Sequence, residues 1–480
     1  MGQYIKLFRT HADYTTFTQT DDILLPNVSY CEDQTDVIHY NPYVHYYSKD
    51  YLTFVALEDG TFKFSGSTTA NTLIYSLDNG STWVELADNT DTPTVTSGNK
   101  ILWKGTCTPQ SDKGIGSFSS TSQFDVEGNA MSLLFGDDFK KQTSLKGKSY
   151  AFYKLFSGNT NVVSAENLSL PATTLAMYCY EYMFQGCTSI TTAPELPATT
   201  LASSCYNSMF YGCTNLTTAP ELPATTLTYE CYGQMFFNCR SLTKAPELPA
   251  TTLVDTCYEY MFFNCSSLTK APELPATTLA SSCYNSMFSG CTSLTTAPEL
   301  PATTLASSCY KQMFSYCSSL TTAPELPATA LTSGCYSGMF NRCTSLTTAP
   351  ELPITTLASS CYSSMFSGCT SLTTAPQLPA TTLANNCYSY MFQACRNLTT
   401  APELPATTLE QSCYYGMFES CTSLNSVTCL ATDISASNCT TYWLRGVPSN
   451  GTFTKAASMT SWTAGNDGIP TNWTVVDASA

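Results

Sequence analysis

A 26-residue unit recurs ten times between residues 170 and 429 without an insertion, and this period limits the chain more than any other feature. Its first cysteine falls at Cys179, Cys205, Cys231, Cys257, Cys283, Cys309, Cys335, Cys361, Cys387 and Cys413. Leu196 to Glu221 reads as the consensus L-P-A-T-T-L-x-x-x-C-Y-x-x-M-F-x-x-C-x-x-L-T-x-A-P-E. A fixed period of this size predicts a solenoid, in which each coil buries its apolar residues only against the coils before and after it.

Within C-Y-x-x-M-F-x-x-C the invariant residues stand at relative positions 0, 1, 4, 5 and 8, which predicts a helix of two or three turns with one buried face. The following Leu-Thr-Thr-Ala predicts a short strand, ended by a proline that cannot donate to a ladder. The fold class expected is therefore an α/β solenoid of ten coils. Leu216, Ala219, Leu222, Leu227, Cys231, Tyr232, Met235, Phe236 and Cys239 form one coil's inward set. Helices pack at 8–10 Å and strands at about 4.8 Å, so such an array curves with its strands inside; it straightens only if the helical side tightens.

The two cysteines of one unit are eight residues apart, roughly 12 Å along a helix, too far for a disulfide. The columns begin Cys179, Cys187, Cys205, Cys213, Cys231, Cys239, Cys257 and Cys265, and they read as structural, reduced thiols acting as small apolar side chains. Cys31, Cys107 and Cys429 lie outside these columns, and no histidine follows His45. Zinc is not expected, nor are Ser-His or Cys-His nucleophile pairs within the repeats. A grouping of Cys31, Asp33, Asp36, His39 and His45 has irregular spacing and reads as ordinary surface.

Charged residues make up only 12% of the chain and the net charge is −16, so no basic patch for nucleic acid is expected. No stretch has the ~20 apolar residues of a membrane span, and no secretory signal is read at the N-terminus. A carboxylate column runs through Glu195, Glu221, Glu247, Glu273, Glu299, Glu325, Glu351 and Glu403. Neighbours about 5 Å apart in water repel by ~0.8 kcal/mol before screening, which a Ca²⁺ ion could relieve; screened, solvated carboxylates are the favoured reading, and no cofactor is expected. A ladder gives each carboxylate the same surroundings, unlike the paired acid and base of a glycosidase, so an enzyme is not expected.

Variation among the ten units concentrates in the three residues before the first cysteine and at positions 2, 3, 6 and 7 after it. The aromatic occupants Tyr182, Tyr211, Tyr229, Phe237, Tyr260, Phe263, Tyr316, Tyr390 and Tyr415, set among Ser, Gly and Asn, are candidate ligand-binding residues. This is the palette of adaptable recognition surfaces, although drift at exposed positions would also produce it. The Thr-Thr-Ala-Pro-Glu face is monotonous and would suit a periodic polysaccharide, or no ligand.

The M-F-x-x-C-x-x-L pattern followed by a Pro-punctuated strand resembles the BspA-type leucine-rich-repeat surface proteins of gut Bacteroidetes and their phages, with Ala-Pro-Glu where that family carries an aliphatic strand residue. Residues 1–50, with Leu25-Pro26-Asn27 and His39-Tyr40-Asn41-Pro42, are similar to N-terminal segments of virion proteins of gut (crAss-like) phages, where they would dock to other virion proteins. Residues 51–127 alternate short apolar runs with turn signals and predict a β-sandwich. Within them Ser76-Leu-Asp78-Asn-Gly80-Ser-Thr82-Trp83 fits the Asp box of sialidase-like propellers, read here as a turn. Residues 128–169 are a connector and N-terminal cap, and 430–480 a C-terminal β cap. The resemblance implies a non-enzymatic virion appendage such as a tail fibre, exposed on the particle after synthesis in the host cytoplasm and binding a host cell-surface protein or polysaccharide; the runner-up is a bacterial cell-surface adhesin. Homo-oligomerisation is left open.

Overall fold

The computed structural model describes residues 50–66 and 72–479. The 1–50 docking segment and its Cys31–His45 grouping therefore lie almost wholly outside the described residues. The described residues form one compact unit.

Seven strands open it: β1 (Leu52–Ala56), β2 (Phe62–Gly66), β3 (Leu73–Ser76), β4 (Val84–Glu85), β5 (Lys100–Gly105), β6 (Gly116–Ser120) and β7 (Phe124–Asn129). β4-β3-β5-β1-β7 make an antiparallel sheet and β2-β6 a separate two-stranded ribbon. Ribbon and sheet meet through aromatic side chains: Phe54 lies 5.3 Å from Phe62 and 4.9 Å from Phe118, and Phe62 lies 5.0 Å from Phe124. β7 runs past residue 127 and pairs in parallel with β8 (Val162–Ser164) and β9 (Leu168–Ser169), which precede the first repeat. Gly128, at φ +76, makes this possible, because a Cβ there would sit 2.0 Å from the Tyr51 carbonyl oxygen.

The repeats contain no helix, which corrects the α/β expectation. Each Cys-to-Cys segment is a chain of tight turns whose backbone N–H groups alternate in destination. Cys205, Asn207, Met209 and Tyr211 donate three residues back, to Ala202, Ser204, Tyr206 and Ser208. Ser204, Tyr206, Ser208, Phe210 and Gly212 instead donate to the next coil, to Tyr229, Cys231, Gly233, Met235 and Phe237, at 2.7–3.1 Å. An α-helix would return all of these donors to itself. The donors to the neighbour include a residue in the left-handed region every fourth position: Ser204 (φ 51), Ser208 (φ 53) and Gly212 (φ 73), and likewise Ser360, Ser364 and Gly368. Each non-glycine residue held there costs roughly 1–2 kcal/mol, offset by a hydrogen bond across coils and by the core that the turns create.

Strands are likewise shorter than expected. The threonine run contributes single bridges, Thr192 to Thr218 and Thr218 to Lys244, with a second column at Thr174–Thr200 and Thr252–Thr278. A proline stands close to one side of each threonine run, after it at Pro194 and Pro220 and before it at Pro171 and Pro197, and limits the ladder there. With turns in place of helices, both sides of the array have strand-like spacing, and the reason for a curve with strands inside is removed.

The core is two aromatic columns. Tyr180, Tyr206, Tyr232 and their successors stack to Tyr414 with ring centroids 5.5–6.1 Å apart. The phenylalanines from Phe156 to Phe418 stack at 5.3–5.9 Å. The inward set expected from sequence is buried, with Ala219 half-buried. At the C-terminal end Trp443 stacks on Tyr414 and Trp462 on Trp443. Three parallel strands, β10 (Ser426–Cys429), β11 (Thr452–Lys455) and β12 (Thr474–Asp477), complete this end. One α-helical turn, α1 (Ser132–Phe135), and a 3-10 turn at Gly136–Lys141 are the helical elements among the described residues. No helix among them is long and apolar enough to cross a membrane.

Candidate functional site: an aromatic and acidic patch on the turn face

The turn segments fix where each candidate ligand-binding residue stands. With two residues of every four turned into the core, the other two face outward, and those at equivalent positions of neighbouring coils lie side by side.

Six of the nine candidate aromatics, Tyr182, Tyr211, Tyr229, Phe237, Tyr260 and Phe263, fall in the coils of Cys179 to Cys265. Tyr211, Phe237 and Phe263 stack face to face at 4.5 Å per step, with interplanar angles of 5° and 9°. Tyr260 lies edge-on to Phe263 at 5.7 Å. Tyr229 is 53% exposed. The other three stand apart. Tyr316, 49% exposed, carries the Arg342 guanidinium 5.3 Å from its ring. Tyr390 and Tyr415 pack edge-on at 5.1 Å, and Tyr415 meets Tyr442.

The charged partners of these rings were not singled out from the sequence. Glu181, Glu230 and Glu259 are half-buried beside the middle group. Glu230 accepts from the Ser204 hydroxyl at 3.2 Å and Glu259 from the Asn285 amide at 2.8 Å. Burial, and then the Glu230 charge, hold the Glu181 carboxyl up at about 7, against the opposing pull of Lys154. Burial also raises Glu259, with Glu230 adding to the rise while Asn285 and Lys311 oppose it. Arg342 stands one coil from Tyr316 in the same column and Arg445 one coil from Glu419, so a search at offset 26 would have found these two.

Elsewhere on this face the chain supplies its own cation. Lys154 Nζ sits 4.9 Å from the Tyr153 ring and 5.3 Å from that of Tyr182. Arg445 lies 4.3 Å from the Tyr442 ring while pairing with the buried Glu419, which also accepts from Gln393 at 2.8 Å.

The cysteine columns are wholly internal. Cys179, Cys187, Cys205, Cys213, Cys231, Cys239, Cys257 and Cys265 are fully buried free thiols. In the second column each thiol donates to a phenylalanine carbonyl of the preceding coil, as Cys213 to Phe184 and Cys239 to Phe210, both at 3.1 Å. Burial pushes the Cys421 thiol up to about 12. The glutamate column from Glu195 to Glu403 is exposed along its length. Among the described residues no three of His, Cys, Asp and Glu are grouped as a metal centre requires. The Asp box is a turn lock: Asp78 accepts from the Thr82 hydroxyl at 2.6 Å, the Thr82 amide at 2.8 Å and the Ser76 hydroxyl at 2.7 Å.

Residues 148–269, 204–347, 234–399 and 335–442 match the family model described as BspA type Leucine rich repeat region, in six copies. No curated protein is similar enough to count as a match.

Proposed function

The chain belongs to the BspA-type leucine-rich repeat family, and from that premise we propose that it is a non-enzymatic, adhesin-like recognition protein whose turn segments, stacked as a leucine-rich-repeat solenoid, present the binding surface. The observation that carries this reading is the concentration of six outward aromatics in the coils of Cys179 to Cys265. At position 6 the next coils carry Ser289, Ser315, Asn341 and Ser367 in place of Tyr211, Phe237 and Phe263. The buried phenylalanines stack alike beside either set, so the core does not call for rings there, and exposed apolar groups gathered in one patch mark interaction sites. The glutamate and threonine face is uniform and offers no such distinction.

The surface that carries the protein is proposed to be that of a phage particle, with residues 1–50 docking to other virion proteins and the host cell surface as target. This setting is supported by the resemblance of that segment to virion proteins. The alternative is display on a bacterial cell, which suits the surface association typical of BspA-type repeats. Mass spectrometry of purified virions and of cell-envelope fractions separates the two. The recognition role is tested with the labelled full chain on intact bacteria. Saturable binding that falls at least about fivefold in Tyr229→Ala supports the proposed patch; absence of saturable binding on every cell type tried overturns the recognition role.

A further inference from the structure

Resting on that recognition role, we infer that the patch of Tyr229, Tyr260, Phe263, Glu230 and Glu259 binds an arginine- or lysine-bearing segment of a partner polypeptide. The argument is by comparison within one molecule. Three other places on the same face combine outward rings with a cation, and in each the cation belongs to the chain: Lys154 on Tyr153 and Tyr182, Arg342 on Tyr316, and Arg445 on Tyr442. At the last of these a buried carboxylate, Glu419, completes the arrangement. The middle patch repeats the rings and the carboxylates, yet among the described residues no lysine or arginine lies over Tyr229, Tyr260 or Phe263, and none forms an ion pair with Glu230 or Glu259.

Charge complementarity therefore selects a cationic occupant. A guanidinium stacks on a tyrosine face and pairs with a carboxylate at once, while its alkyl stem covers the exposed ring edges. Burial and the Glu230 charge raise Glu259 against the opposing pull of Asn285 and Lys311, so its counter-charge within the chain is incomplete. The faces of Phe237 are covered by Tyr211 on one side and Phe263 on the other, so the centre of that ladder offers ring edges, against which an aliphatic stem can pack.

The test uses the full chain and two probes in calorimetry at 0.15 M salt, a Gly-Arg repeat peptide and a glucosamine hexamer. The expected result is saturable binding of the peptide, weakened at least about tenfold by Glu230→Gln with Glu259→Gln and about threefold by Tyr229→Leu. Glu325→Gln with Glu351→Gln removes the same net charge from the uniform face and should change affinity less than about twofold, because screening confines exposed charges to short range. Melting curves establish that the variants fold, and Tyr229, being exposed, provides a test that does not disturb the core. Failure of the peptide to bind overturns the inference, as does equal weakening by the control pair. Binding of the glucosamine hexamer alone overturns it in favour of a glycan. Persistence of cell binding when the peptide fails would leave the recognition role standing and remove only this assignment.

Discussion

If the phenylalanine column contributes through contacts between successive rings, substitutions within it must couple to adjacent coils and to no others. Phe262 is fully buried and stacks at 5.6 Å on both Phe236 and Phe288. Phe262→Leu keeps the site filled and removes two ring contacts. At roughly 0.5–1.5 kcal/mol each, the expected loss is about 1–3 kcal/mol. Phe288→Leu likewise removes the contacts with Phe262 and Phe314. The double variant loses three contacts, because the pair shares one, and should be less destabilised than the sum of the singles by ~0.5–1.5 kcal/mol. Phe210→Leu with Phe314→Leu, four ring steps apart, shares none and should be additive within about 0.5 kcal/mol. Urea unfolding of the full chain followed by circular dichroism, with unchanged dependence on denaturant, measures the four single and two double variants. Equal additivity in the adjacent and distant pairs would refute ring-to-ring coupling and leave the phenylalanines as independent space fillers.

Three further outcomes follow from particular contacts. Cys239→Ala should cost about 1–2 kcal/mol through lost volume and the lost donor to Phe210, whereas Cys239→Ser keeps a donor and should cost less; the reverse order in thermal melts would mean that the thiol is only an apolar filler. Asp78, held down at about 2 by the Thr82 hydroxyl and amide and by Ser76, contributes stability that is complete above its ordinary 3.8 and fades as pH falls towards 2. In Asp78→Asn that fade should be absent from acid titrations of the Trp83 turn followed by NMR. Ser364, at φ 56, should accept glycine with a gain of up to about 1 kcal/mol, while valine there should destabilise by more than ~1 kcal/mol. Denaturant midpoints would check this, and equal stability of the two variants would contradict the left-handed conformation.

The period and nearly the whole inward set were legible in the sequence, while the conformation connecting them was not. Apolar residues at positions 0, 1, 4, 5 and 8 fit a helix, but they fit a four-residue turn repeat better, and over eight residues the two periods diverge too little for burial alone to separate them. The distinguishing signal stood at position 7, where Gly186, Gly212, Asn238, Asn264, Gly290 and Gly368 mark a recurrent left-handed residue that no helix interior would hold. It was obscured at positions −1 and 3, where Tyr182, Gln234 and Thr256 adopt the same conformation under tertiary control. The aromatic patch was legible one residue at a time, but the acids and cations that divide it into satisfied and unsatisfied parts emerge only when coils are laid beside one another. The expected strand failed for a local reason, since the proline two residues after the threonine run leaves room for a single bridge.

The alternating destination of the backbone donors has an evolutionary consequence. Each interior unit gives to the next the same bonds it receives from the previous one, so removing or adding 26 residues in phase leaves every remaining junction of a familiar type. Near-identical stretches of coding sequence recombine unequally with ease. Reach can therefore lengthen or shorten by whole rungs in one genetic event, while a slip of even one residue would send half of those donors to the wrong acceptors.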